Sequence, residues 1–125
     1  MPRRTISMVK KYLSRFKHAI NGLLYATASD FGFRSQVYLG AVIGFLVSAF
    51  YTPLTASEFL FVTLAWALIL ITELQNSALE AALDRIHTEL HDSIKHSKDM
   101  AAASVLIAGL FLLLTLITIS YGRFI

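Results

Sequence analysis

The sequence predicts an all-α membrane protein, an N-terminal amphipathic surface helix followed by three transmembrane helices. Three observations carry this. The chain is 56% hydrophobic and only 15% charged over its 125 residues, against about 45–50% and about 25% for soluble domains. Ser35–Ser57 and Met100–Gly122 contain no charged residue. Each reaches the roughly 20 residues that a helix needs to cross about 30 Å of hydrocarbon. The stretch Phe59–Thr72 is also uncharged, and it becomes a full span if it begins near Leu54, with Glu58 at the membrane surface. A soluble core of this size could not hide so much apolar surface, whereas a bilayer could. One domain over 1–125 is the natural count.

The elements follow in order. Over about 5–29, Ile6, Val9, Leu13, Phe16, Ile20 and Leu23 recur at intervals of three and four and share one helical face. Lys10, Lys11, Ser14, Arg15, His18 and Asn21 fall on the other sides. Such a helix lies in the membrane interface with its basic face toward water. Three spans are expected at about 35–52, 55–73 and 100–121. Pro53 breaks the first from the second, and the short connection makes these two an antiparallel hairpin. Gly40, Gly44 and Ser48 on the first span, and Ala101, Ser104 and Ala108 on the third, are spaced for close helix approach. Small residues are also simply common in membrane helices.

Charge sets orientation and excludes some functions. Seven of the eleven Lys and Arg lie in the first 34 residues, against a single acid there, Asp30. This bias suits anionic lipid head groups, and the rest of the chain is too apolar for a nucleic-acid binder. The N-terminal segment and an expected Asp84–Asp99 loop hold nearly all the basic residues, so both are assigned to the cytoplasm. The Pro53 turn and the C-terminus, which has only Arg123, are assigned outside. The chain has no cysteine, which removes disulfides and thiolate metal sites. No phosphate-binding glycine motif occurs.

Chemistry concentrates where the second span leaves the bilayer. Glu73, Asn76, Ser77, Glu80 and Asp84 are spaced three, four and seven apart, so one helical stripe carries them all. Leu74, Ala78, Ala81 and Ala82 occupy the opposite side. Aligned acids at a membrane boundary repel one another, and ionisable residues in a membrane segment are functional by default. Glu73, nearest the apolar run, is the candidate general base. Glu80, nearer water, is placed to hold a hard cation, and carboxylates with an amide oxygen suit Mg2+. Asp84 also reads as part of a solvated face. His87 and His91 stand at i, i+4, a spacing open to zinc but equally to a wet loop. Lys98 at the start of the third span opposes the helix dipole and implies a partner, an anion or Glu80.

The run Glu73-Leu-Gln-Asn-Ser-Ala-Leu-Glu80, then Asp84-Arg-Ile86, then Lys98-Asp-Met100 leading into Ala103–Ala108, is similar to the signature of the bacterial diacylglycerol kinase family. The resemblance covers almost the whole chain, including the Phe33-Arg34 pair ahead of the first span. It implies a homotrimer with sites shared between subunits in the bacterial inner (cytoplasmic) membrane, using ATP and Mg2+ to convert diacylglycerol to phosphatidic acid. It implies Glu73 and Asn76 as catalytic, and Asp30 and Glu80 as metal ligands. The family usually has Glu where Asp30 stands. Nucleotide contacts are implied for Lys11, His18, Asp30, Glu80, Glu89, His91, Lys98 and Asp99, and lipid contacts for Lys11, Phe33, Arg34 and Glu73. Undecaprenol kinases, which use a polyprenol, are the nearest alternative. A non-catalytic membrane assembly subunit is a different class.

Overall fold

A computed structural model describes residues 3–86 and 91–125, and among them there are four helices: α1 (Arg3–Ser29), α2 (Phe31–Phe50), α3 (Ala56–Ile86) and α4 (Asp92–Phe124). The last three are long and apolar enough to cross a membrane. α3 packs most extensively on α4 and less on α2, while α1 touches chiefly α2. Along α1 the apolar stripe expected from sequence stands exposed, from Ile6 through Phe16 to Leu23, and Ala26 is its buried residue. Such a stripe needs a covering medium, and lipid supplies one.

Each boundary has a local cause. Asp30 alone separates α1 from α2. Its extended backbone (φ −100°, ψ 108°) turns the chain, and its side chain caps α2 by accepting from the Gly32 amide. α2 therefore starts at Phe31, ahead of the position 35 expected from the loss of charge. Thr55 opens α3 as a reciprocal capping box. Its Oγ1 accepts from the Glu58 amide at 3.2 Å, and its own amide donates to Glu58 Oε2 at 3.0 Å. Arg123 then closes the Pro53 end. It pairs with the Glu58 carboxylate and donates from Nη2 to the Pro53 carbonyl at 2.7 Å. Beside it Tyr51 hydrogen-bonds Ser120 at 2.7 Å.

The other end corrects the expected loop. α3 runs unbroken to Ile86 and α4 already begins at Asp92, so most of 84–99 is helix. His91 starts α4 as its N-cap, with Nδ1 accepting from the Ser93 amide, and Asp92 in the first turn suits the positive end of the dipole. Lys98 thus lies in the second turn rather than at the helix start, and the dipole argument for a partner does not apply. At about 1.5 Å per residue, α3 and α4 are roughly 45–50 Å long, well beyond a hydrocarbon core of about 30 Å. Glu73–Ile86 is the surplus at one end of α3.

The small-residue positions of α2 have different surroundings. A side-chain carbon on Gly40 would collide with the Trp66 indole, whose Nε1 donates to the Gln36 carbonyl at 3.4 Å, while one on Gly44 would meet open space. On α4, Ala108 is buried.

Candidate active site

The site forms where the surplus of α3 passes the α1–α2 junction. Asp30 stands there because it caps α2, and its Oδ1 accepts from the Gly32 amide at 3.1 Å. Its Oδ2 is buried without a hydrogen-bond partner among the described residues, and so is Asn76 Oδ1 on α3. Buried polar atoms are nearly always satisfied, so each of these oxygens is a candidate contact for a ligand, an ion or a water. Glu73 is half-buried beside them, with its carboxylate against the Gly32 backbone. A carbon built on Gly32 would meet Glu73 Oε1 first, then Glu73 Cδ at 3.3 Å and Asp30 Oδ1 at 3.5 Å. The charges of Asp30 and Glu80 are both felt at Glu73.

Two grooves meet at this corner, and their linings differ. A polar one of about 290 Å³ is lined by Tyr25, Ser29, Asp30, Ser77, Glu80 and Asp84 with Ala81. An apolar one of about 600 Å³ runs between α1 and α3, lined by residues such as Leu23, Ala26, Leu74, Ala78 and Ala81. The apolar side of the α3 surplus therefore faces the surface helix across a groove. Asp30 and Ser77 border both grooves.

Lys98 pairs with Asp84, not with Glu80. That hydrogen bond raises the lysine's pKa above its ordinary value, so it stays charged. One turn away Lys95 bonds Asp99 at 2.7 Å and lowers the Asp99 carboxyl's pKa. Arg34 is half-buried and turns back, donating to the Ala28 carbonyl at 3.3 Å, and Phe33 is packed into the junction at 4% exposure. His91 is exposed and engaged with Ser93. Lys11 and His18 stand exposed on α1. From Lys11 to Ser29 the helix covers roughly 27 Å at about 1.5 Å per residue, so one chain does not bring Lys11 to the corner. Glu89 and His87 lie outside the described residues.

As a cation site the corner offers Asp30 and Glu80 on one polar groove, whose third carboxylate, Asp84, is paired with Lys98, and among the described residues no cluster of three or more metal-capable side chains forms. That donor set fits Mg2+, which keeps several waters and takes one or two carboxylates plus phosphate oxygens. Zinc would want more protein ligands.

Comparison with known proteins decides the family. The model of the prokaryotic diacylglycerol kinase family matches residues 17–120. The chain belongs to the prokaryotic diacylglycerol kinase family. It is 32% identical to a diacylglycerol kinase of Pseudomonas aeruginosa over 91% of this chain and 87% of that protein. A Haemophilus influenzae diacylglycerol kinase is 33% identical over 74% of this chain and 76% of its own length. A third, from Helicobacter pylori, is 31% identical over 92% and 84%. The family match takes in α2, α3 and most of α4, and it reaches back into α1 to include His18 and Asp30. Gly32, Tyr25 and Ser29 were not legible as site residues, since an isolated glycine or serine near a helix end carries no chemical cue.

Proposed function

We propose that this family member transfers the γ-phosphoryl group of ATP to diacylglycerol, giving phosphatidic acid at the cytoplasmic face of the bacterial inner membrane. The observation that carries the reading is the corner itself. Asp30 borders both an apolar groove and a polar, carboxylate-lined one, and the half-buried Glu73 carboxylate lies next to it against Gly32. A lipid alcohol can approach along the first and a nucleotide along the second. Support also comes from three relatives named as diacylglycerol kinases, each aligned over most of its length.

The chemistry follows from these positions. The lipid hydroxyl oxygen bonds to the γ-phosphorus as the bond to the ADP oxygen breaks, and the hydroxyl proton passes to Glu73. Asn76, one turn along α3 from Glu73, orients the hydroxyl by donating a side-chain amide N–H to its oxygen. Asp30 Oδ2 and Glu80 would hold Mg2+, which when bound offsets phosphate charge. Lys98 exchanges Asp84 for a phosphate oxygen, and catalysis is mostly positioning and electrostatics. Lys11 is roughly 27 Å along α1 from the corner, so we read it as serving a neighbouring subunit's site in a homotrimer.

The test is phosphorylation of diacylglycerol, and of undecaprenol for comparison, by the purified protein in mixed micelles with labelled ATP. Glu73→Gln should lose at least about 100-fold in kcat, the usual lower bound for a general base, with the oligomer intact. Glu80→Gln should raise the Mg2+ requirement. Subunits carrying Glu73→Gln mixed with subunits carrying Lys11→Ala should regain about a quarter of the activity, since random assembly in a symmetric ring reunites one intact pair in four. Full activity in both glutamine variants would remove the assigned site. Dissociated oligomers in Glu73→Gln would instead favour a purely structural role for the acids.

A further inference from the structure

Gly32 has no place in the mechanism above, yet it is the residue that the Glu73 carboxylate touches. It lies in the first turn of α2, a position where glycine is the weaker helix former and alanine the better one. Its φ is negative, so no left-handed backbone requires glycine there. The steric surroundings give the reason instead. The first atom that an added side-chain carbon would meet is Glu73 Oε1, closer than real side-chain carbons ever come, and the next are Glu73 Cδ at 3.3 Å and Asp30 Oδ1 at 3.5 Å. No backbone atom of another element is among them. An alanine could therefore be housed by moving one flexible carboxylate and nothing else.

We infer that Gly32 is a positioning residue for phosphoryl transfer, its missing side chain being the seat that holds the Glu73 carboxylate against the first turn of α2. The amide end of a helix favours an anion there, against the Asp30 and Glu80 charges felt at Glu73. The seat also fixes the carboxylate from the α2 side while α3 fixes it from its own backbone. This rests on the assignment of Glu73 as the base, and it adds the residue that decides where that base stands. A displacement of about 1 Å at a reacting group is enough to cost on the order of 100-fold in rate.

The test is a set of kinetic comparisons on the full-length protein in mixed micelles. Gly32→Ala should fold and oligomerise normally and lose about 10- to 100-fold in kcat, with KM for ATP unchanged. Gly109→Ala, where the added carbon meets open space, should behave as the parent. In a Glu73→Asp background the carboxylate is already drawn back by one methylene, so adding Gly32→Ala should change kcat less than twofold, a loss of additivity expected of groups in contact. Gly32→Ala with kcat within twofold of the parent would overturn the inference while leaving the kinase reading standing. So would a loss of activity or folding that persists in full in the Glu73→Asp background, because the added carbon would then be meeting something other than that carboxylate. Full activity in Glu73→Gln would instead remove the base assignment itself, and the seat with it.

Discussion

At the junction of α1 and α2 the two carboxylate oxygens of Asp30 have different surroundings. Oδ1 caps α2 through the Gly32 amide, and Oδ2 is buried with no hydrogen-bond partner among the described residues. Aspartate gives this chain a capped helix start, and under the proposed function its other oxygen is left for a cation. The two roles are separable by substitution. Asparagine is as good a cap as aspartate but is neutral. Asp30→Asn should therefore keep the thermal stability of the parent and raise the Mg2+ needed for half-maximal activity by roughly tenfold or more, since about 1.4 kcal/mol of lost ligation is a factor of ten. Asp30→Ala loses the cap as well, and should cost about 0.5–2 kcal/mol in an unfolding titration. Equal melting midpoints for the two variants would show that the cap contributes nothing. The sequence marked Asp30 as a lone acid in a basic stretch. It did not show which oxygen would be free, because that depends on where the helix begins.

At the scale of elements, the Pro53 end is held by a local motif and a distant one. The Thr55-Ala-Ser-Glu58 capping box is a sequence signature within a single turn, legible in principle without a structure. The Glu58–Arg123 pair joins residues 65 apart in sequence, and nothing in the sequence pointed to it. Both stabilise the α3–α4 hairpin at the end opposite the site, since Glu58 and Glu73 are about 22 Å apart along α3 at about 1.5 Å per residue. Thr55→Ala should lower stability by about 1 kcal/mol. Arg123→Met should lower the melting temperature, because it leaves the half-buried Glu58 carboxylate without its cation. Neither should change kcat or KM, and a large kinetic effect of either would mean that the two ends are coupled.

At the scale of the whole molecule, α3 and α4 are longer than a hydrocarbon core requires, and their charged surplus is Glu73–Ile86 and the first turns of α4. Under the proposed function this end faces the cytoplasm, where ATP is, as the charge bias of the N-terminal segment predicts. Because the chain has no cysteine, single cysteines report its topology cleanly. In intact cells, Thr52→Cys should react with a membrane-impermeant maleimide, while His96→Cys should react only after permeabilisation. The reverse pattern would separate the acids from ATP and rule out the proposed reaction.

Span number, the amphipathic surface helix and the acidic stripe were determined by the sequence alone. Hydrophobic length and helical period are local properties that add residue by residue, and a helix places Glu73, Asn76 and Glu80 on one face whatever its neighbours do. Which residue meets which was decided by tertiary structure. Lys98 meets Asp84 and not Glu80, and the Glu73 carboxylate rests on Gly32. A helical period fixes a face but leaves the rotation and axial offset of neighbouring helices undetermined. Those are set by packing between elements, as where the Trp66 indole lies against Gly40, and by caps such as Asp30 that choose where a helix starts.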